Sequence, residues 1–164
     1  MADPRFFDNQ GPFPLAELCA RIGATPDADA DPHALVCDIA SLEGAGPGQL
    51  AYCATKATAR TLQNSQAGFC IVDKAAAGAS KASGMTLLMS GAALHAFAAA
   101  ARMFYPEQGY TGWTPGESVH PTARLGENVS LAAGVVIGAG AEIGDRTRIG
   151  PNCVIGRGVV VGRD

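Results

Sequence analysis

Charged and aromatic residues are both scarce in this sequence of 164 residues. Only 16% of the residues are charged and 6% are aromatic, and 12 Lys and Arg against 15 Asp and Glu give a formal net charge of −3. Proteins that bind the phosphate backbone of nucleic acids are usually basic, so the composition argues against a nucleic-acid partner. With 48% apolar residues, the chain can nevertheless bury a hydrophobic core.

Cysteine motifs, a secretory signal and a long apolar run are also missing. The cysteines, at positions 19, 37, 53, 70 and 153, are odd in number and no two have the CxxC spacing, which argues against a disulfide framework or a zinc ribbon. The opening MADPRFFDNQGPF contains no apolar segment of a signal peptide. No stretch reaches about 18 uninterrupted apolar residues, so no membrane-spanning helix is expected. We therefore predict a soluble protein of a reducing compartment, the cytoplasm.

Glycine, in contrast, is abundant, and much of it belongs to a six-residue repeat. An aliphatic residue opens every hexad: Val119, Leu125, Leu131, Ile137, Ile143, Ile149, Ile155 and Val161. A small or branched residue follows four positions later: Ala123, Val129, Val135, Ala141, Thr147, Cys153 and Val159. A period of six fits neither an α-helix nor simple strand alternation. It predicts a parallel β-helix whose coils share an aliphatic core, and the perfect register of the openers argues against a flexible Gly-rich tail.

Within each hexad, the opener and the fifth residue are predicted to face inward. The glycine that usually follows the opener is placed near a corner, where it relieves backbone crowding. Charged residues take the remaining, outward positions: Glu127, Glu142, Arg146, Arg148 and Arg157. The sequence stops at Asp164 inside a hexad, and a solenoid needs a cap over its last coil. We therefore expect this chain to be the front part of a longer protein.

Residues 1–104 lack the six-residue period and alternate helical and strand patterns. Helices are predicted at 14–22, 55–65 and 91–104, strands at 35–42, 49–54, 68–72 and 86–90, and a loop at 24–34. Pro14 and Gly23 are typical of the two ends of a helix, and the nearly all-apolar strand at 68–72 predicts burial on both faces. We predict an α/β domain over 1–104, a linker over 105–118 and the β-helix over 119–164.

The order of these segments resembles the UDP-3-O-(3-hydroxyacyl)glucosamine N-acyltransferases of lipid A biosynthesis, in their alphaproteobacterial form. The resemblance rests on IASLEGAGPGQLAYCATK (39–56), AGFCIVDK (67–74), the helix ending in LHAFAAAARMFYP, and hexads that begin VHPTAR (119–124). Hexads alone occur in many transferases, but the front α/β domain joined to an HPTA-type first hexad is much more specific. The resemblance implies a uridine-binding α/β domain followed by the start of a left-handed parallel β-helix of about two and a half coils, with three hexads per coil. It also implies a homotrimer. We expect neither a cofactor nor a metal.

The same resemblance implies a reaction. Its substrate is UDP-3-O-acylglucosamine, whose 2-amino group receives a 3-hydroxyacyl chain from an acyl carrier protein thioester. In that family a histidine in a later coil is the general base for the amine, a role that suits its pKa. The similarity ends before those coils, so we expect the catalytic histidine beyond Asp164 and no turnover by these 164 residues alone.

The three histidines of the chain are assigned other roles. His33 lies in an Asp/Pro-rich loop and is expected to be solvated, His95 is expected to pack or to lie at the surface of the last helix, and His120 is expected to be structural in the first hexad. A single histidine among the repeats also argues against the three-histidine zinc site of hexapeptide-repeat carbonic anhydrases. We therefore predict neither a catalytic residue nor a metal site within the chain.

The uracil site of the family carries over only in part. Tyr52 stands where the family has an aromatic residue that stacks on uracil, whereas Thr55 and Thr58 stand where many members have Asn and Tyr. The threonine hydroxyls can still hydrogen-bond the uracil imide, but the second stacking ring is lost. The alternatives are strand packing for Tyr52 and helix capping for Thr55. Lys56 either contacts a phosphate or is simply solvated.

Two other functions stay open. The chain could be a non-catalytic module that trimerises and docks another protein, or part of a nucleotide-sugar O-acyltransferase of the same architecture. Binding of a uridine nucleotide separates the acyltransferases from the docking module. The acceptor group, an amine or a hydroxyl, separates the two acyltransferases.

Overall fold

Two compact units make up the chain. The computed structural model describes residues 3–4, 6–53, 59–73, 84–106 and 117–164. The front unit is Asn9–Glu107, and the repeat unit combines Ala2–Asp8 with Gln108–Asp164. Most of the predicted linker, residues 107–116, lies outside the described residues.

The front unit contains helices and strands in alternation. Its helices are α1 (Leu15–Ile22), α2 (Ala59–Asn64) and α3 (Ala93–Phe104). Its strands are β1 (Phe13–Pro14), β2 (Thr25–Pro26), β3 (Leu35–Val36), β4 (Asp38–Ile39), β5 (Gln49–Cys53), β6 (Phe69–Val72) and β7 (Thr86–Met89). The predicted strand at 35–42 is divided at Cys37, because β3 pairs with β1 and β4 pairs with β5.

Five of these strands form one sheet in the order β2-β7-β6-β5-β4. β4, β5, β6 and β7 are parallel neighbours, and β2 is antiparallel to β7 at the edge. β2 contradicts the loop predicted for residues 24–34. Its two residues carry no apolar pattern and are a strand only because β7 offers a free edge to pair with.

Both faces of the sheet are covered, so the prediction of a doubly buried β6 is confirmed. All four residues of β6 are buried, and successive side chains point to opposite faces. One face packs on α1 and α3 through Leu50, Phe69, Ile71 and Leu88. The other face packs on Leu62 of α2 through Ala51, Cys53, Cys70, Val72 and Leu87.

The predicted helix boundaries around α1 are also confirmed. Pro14 is its N-cap, and Gly23 follows it with φ 67° and ψ 37°, the left-handed conformation in which glycine is favoured. The buried residues of α1 recur with helical spacing: Leu15, Leu18, Cys19 and Ile22. The helix therefore presents one apolar face to the sheet.

Short parallel strands stack every 18 residues in the repeat unit, for example Arg124 beside Glu142. They are β8 (Arg124–Leu125), β9 (Ser130–Leu131), β10 (Val136–Ile137), β11 (Glu142–Ile143), β12 (Arg148–Ile149), β13 (Val154–Ile155) and β14 (Val160–Val161). Within residues 117–164 they form three separate parallel sheets, β8-β11-β14, β9-β12 and β10-β13. Three hexads therefore make one coil, as predicted.

The core of the repeat unit contains hexad openers and fifth residues. Val135, Ile137, Ala141 and Ile143 are buried at its centre, with further openers and fifth residues around them. This confirms the predicted inward positions. Leu125 is the exception among the openers, because 43% of it is exposed.

The corner residue itself lies two positions after the glycine that was predicted to sit near the corner. Left-handed φ values recur at the third residue after the opener, at Asn128, Gly134, Gly140, Arg146, Asn152 and Gly158. The glycine directly after the opener meets a different constraint, close approach of the next coil. A Cβ on Gly138 would lie 2.7 Å from the backbone nitrogen of Arg157.

Candidate functional site

Tyr52 lies near the carboxyl end of β5 in the parallel sheet of the front unit. Ligands of open α/β sheets bind outside the carboxyl ends of the strands. Asp73 follows β6 and Ser90 follows β7 at the same edge. Tyr52 is half-buried, so part of the side chain remains accessible.

The inner side of Tyr52 packs against α3. Its ring centroid lies 4.8 Å from that of Phe97, and the two ring planes meet at 36°. Tyr52 also pairs in register with Ile71 of β6 and packs against the core cluster that includes Leu50. Its hydroxyl makes no hydrogen bond to any residue that the structure describes. The ring therefore has a packing role, whereas the hydroxyl has no hydrogen-bonding role among the described residues.

The structure gives no position to the other residues that were predicted to contact uracil. Thr55, Thr58 and Lys56 all fall within residues 54–58, outside the described part of the chain. The predicted capping role of Thr55 lies there too. The described part of α2 begins at Ala59. Of the predicted site residues, the structure therefore gives a position to Tyr52 alone.

The histidines do not gather into a reactive group. His33 and His95 are both exposed. His120 Nδ1 lies 2.9 Å from Thr122 Oγ1 and accepts a hydrogen bond from the Thr122 N–H, while Thr122 Oγ1 accepts one from the N–H of Gly140 in the next coil. His120 thus helps to hold a corner of the solenoid, in agreement with the structural role predicted for it.

A buried polar network in the front unit was not predicted. The Asp38 carboxylate, only 4% exposed, accepts hydrogen bonds at Oδ1 from the Tyr105 hydroxyl and from the Ile39 N–H. Asn9 Nδ2 donates to the Cys37 carbonyl at 3.1 Å and lies 3.5 Å from the Tyr105 hydroxyl. Asp38 Oδ2 has no partner among the described residues. The only trace in the sequence is a carboxylate within the apolar run VCDIA.

Two buried thiols are poorly suited to act as nucleophiles. Burial raises the pKa of Cys19 to about 11 and the pKa of Cys70 to about 12. Neighbouring Cys53 raises the pKa of Cys70 further. The thiolate is the reactive form, and very little of it exists near neutral pH at these pKa values. In the described ranges, no group of three His, Cys, Asp or Glu is arranged to hold a metal ion.

A shallow cavity of about 340 Å³ lies at one corner of the repeat unit. Its lining consists of Ala139, Gly140, Glu142, Arg157, Gly158 and Val160. Glu142 is paired with Arg124 at 3.1 Å, and Arg157 is paired with Asp8 at 2.9 Å. Because both charged side chains of the cavity already have partners, the carboxyl edge near Tyr52 is the better candidate site.

Family models match both units of the chain. Residues 33–103 match the family described as UDP-3-O-(3-hydroxymyristoyl) glucosamine N-acyltransferase, LpxD. Residues 122–157 match the bacterial transferase hexapeptide, six repeats. None of the helices in the described ranges has the length and apolar composition needed to cross a membrane.

Curated relatives give the same result. A UDP-3-O-acylglucosamine N-acyltransferase of a Caulobacter species is 41% identical over 132 residues, which are 80% of this chain and 38% of the relative. Proteins of the same name from a Methylobacterium species and from Parvibaculum lavamentivorans are each 38% identical, over 76% and 75% of this chain and 37% and 35% of the relative. The chain thus spans less than two fifths of the length of these relatives.

Proposed function

This chain belongs to the UDP-3-O-acylglucosamine N-acyltransferase family, and we propose that its front unit binds the uridine end of the UDP sugar. In the reaction proposed for the whole protein, the 2-amino group of UDP-3-O-acylglucosamine attacks a 3-hydroxyacyl thioester of acyl carrier protein. The products are the N-acylated sugar nucleotide and the free thiol of the carrier. The step of this reaction that we assign to the front unit is recognition of the substrate.

One observation carries the proposal: a half-buried tyrosine ring at the carboxyl edge of a parallel sheet. Tyr52 has one side against the core and part of its surface accessible, an arrangement that suits stacking on a planar base. The hydroxyls of Thr55 and Thr58, a few positions further along the chain, are proposed to recognise the imide edge of uracil.

Proton transfer is not assigned to any residue of this chain. The attacking amine must lose a proton to a base, and histidine is the side chain with a suitable pKa. His120 is engaged with Thr122 at a solenoid corner, and His33 and His95 are exposed. The proposal therefore gives no catalytic role to the histidines of this chain.

The repeat unit is proposed to assemble the protein. Its coils would wind left-handed, as in other hexapeptide-repeat transferases, and three copies would associate around a three-fold axis. Outward-facing Val136 and Val154 on the β10-β13 sheet offer an apolar surface for such contacts. A cytoplasmic location belongs to the same proposal.

Nucleotide binding tests the proposed function. Stacking contributes about 1–3 kcal/mol per base, so UMP should bind near the millimolar range that corresponds to about −4 kcal/mol. NMR titrations of the 164-residue chain should show UMP binding preferred over AMP. Tyr52→Ala should abolish binding, whereas Tyr52→Phe should keep most of it because the ring does the stacking.

Unchanged UMP shifts in Tyr52→Ala would mean that Tyr52 is only a core residue. A complete lack of UMP binding by the unaltered chain would favour the docking module instead. UMP binding combined with acylation of a hydroxyl acceptor by a longer form of the protein would favour the O-acyltransferase.

A further inference from the structure

We propose that Phe97 is a positioning residue that holds the Tyr52 ring in the orientation needed to stack on a base. This inference rests on the uridine site proposed above. The proposed site has only one ring for stacking, because Thr58 stands where many members of the family have a second aromatic residue. The orientation of the Tyr52 ring therefore matters more for binding the base.

The contact between the two rings leaves one usable face on Tyr52. Their centroids are 4.8 Å apart and their planes are tilted by 36°, which is within the range of stabilising aromatic pairs. Because Phe97 lies against one face of Tyr52, a base can stack only on the opposite face. The expected arrangement has three layers, Phe97, Tyr52 and the base.

The composition of α3 explains how Phe97 reaches this position. Ala93, Ala96 and Ala100 are buried against the sheet on one face of the helix. Small side chains allow the helix to approach the strands closely. Phe97 follows Ala96 at the side of this buried face and therefore extends toward β5, where Tyr52 lies.

Core packing alone explains the pair less well. Leu50 and Ile71, on the same sheet face, are fully buried, whereas Tyr52 and Phe97 are both only half-buried. Aliphatic side chains would fill such a partly open position without exposing aromatic surface. A rigid ring pair at a ligand-binding edge instead reduces the freedom that Tyr52 must lose when the base binds.

Removing the Phe97 ring should therefore weaken binding without removing the site. Immobilising one side chain costs binding energy that corresponds to an increase in Kd of about threefold to tenfold. We expect an increase of that size for UMP with Phe97→Leu, which keeps apolar volume but loses the flat ring. Phe97→Tyr keeps the ring and should bind UMP like the unaltered chain.

The experiment compares UMP titrations of the 164-residue chain and its variants by NMR. Besides Kd, it records the upfield ring-current shifts of the uracil H5 and H6 protons, which depend on the orientation of the Tyr52 ring. Phe97→Leu should reduce these shifts at saturation, and Phe97→Tyr should restore them. Met85→Ala is the matched control, because Met85 is buried in the cluster on the opposite face of the sheet. It should lower stability without changing either readout.

The possible outcomes separate this inference from the proposed function. Loss of binding in Tyr52→Ala together with an unchanged Kd and unchanged ring-current shifts in Phe97→Leu would overturn the inference and leave the uridine site standing. Equal weakening in Phe97→Leu and Met85→Ala would also overturn it, since the effect would then be one of stability. UMP binding that survives in Tyr52→Ala, or no binding by the unaltered chain, would remove the uridine site and this inference with it.

Discussion

Tyr52 and Tyr105 are both half-buried, yet their hydroxyls have different surroundings. The Tyr105 hydroxyl donates to the buried carboxylate of Asp38, whereas the Tyr52 hydroxyl has no hydrogen-bond partner in the described part of the protein. Removing the hydrogen-bond donor of a buried carboxylate lowers the stability of the fold, because the carboxylate oxygen is then left without that partner. We therefore expect the Tyr105 hydroxyl, but not the Tyr52 hydroxyl, to contribute to the stability of the front unit.

We predict that Tyr105→Phe destabilises the front unit by about 1–3 kcal/mol, the range for leaving a buried polar group without its partner. Urea unfolding followed by circular dichroism measures the free energy of unfolding. Tyr52→Phe is the control and should leave that free energy nearly unchanged. Equal stability of Tyr105→Phe and the unaltered chain would mean that Asp38 does not depend on this hydroxyl.

At the scale of the element, the hexad combines two separate backbone requirements. The third residue after each opener has a left-handed φ, which Asn128, Arg146 and Asn152 adopt as well as glycine. The residue directly after the opener lies against the next coil, which leaves no room for a Cβ at Gly138. Glycine in this repeat therefore reflects close stacking of coils as much as turning of the chain.

Gly138→Ala should consequently destabilise the repeat unit, whereas Gly91→Ala, in the front unit, should leave stability nearly unchanged. A Cβ on Gly138 would lie 2.7 Å from both Arg157 N and Gly156 C, while a Cβ on Gly91 would have no atom within 4 Å. Overpacking of this kind costs about 1–3 kcal/mol. Thermal unfolding measures the difference in melting temperature between the two variants. Hydrogen exchange at the backbone amides of β11 shows whether the loss of stability lies in the repeat unit. Similar melting temperatures for both variants would show that the coils can move apart at no cost.

At the scale of the whole molecule, the faces of the repeat unit differ in polarity. The β10-β13 sheet has Val136 and Val154 at its outward positions, whereas the β9-β12 sheet has Ser130 and Arg148. Val154 is 64% exposed. Large exposed apolar patches mark surfaces that contact other proteins, so the more apolar β10-β13 sheet is the face proposed for contact between copies.

The proposed trimer predicts that Val154→Lys weakens self-association. Burying a charge without a partner costs several kcal/mol, so the variant should stay monomeric at concentrations where the unaltered chain associates. Ser130→Lys, on the polar face, is the control and should associate like the unaltered chain. Sedimentation equilibrium over a range of concentrations measures this. A strict monomer at every concentration of the unaltered chain would contradict the prediction.

Local patterns in the sequence were sufficient for several elements of the fold. The openers and fifth residues of the hexads identified the core of the repeat unit, and Pro14 and Gly23 identified the two ends of α1. The apolar run of β6 predicted its burial on both faces. Each of these features depends on side chains that are close along the chain, so their spacing is readable without the tertiary structure.

Other features were decided only when distant segments met. β2 is a strand because β7 presents an edge to it. Asp38 is held by Tyr105 from 67 residues away, and Phe97 reaches Tyr52 because alanines bring α3 close to the sheet. The sequence by itself determined the hexad core, the family resemblance and Tyr52 as a candidate for the uracil site. The partners of Asp38 and Tyr52 were decided by the tertiary structure, because contacts between residues far apart in sequence leave no periodic signal along the chain.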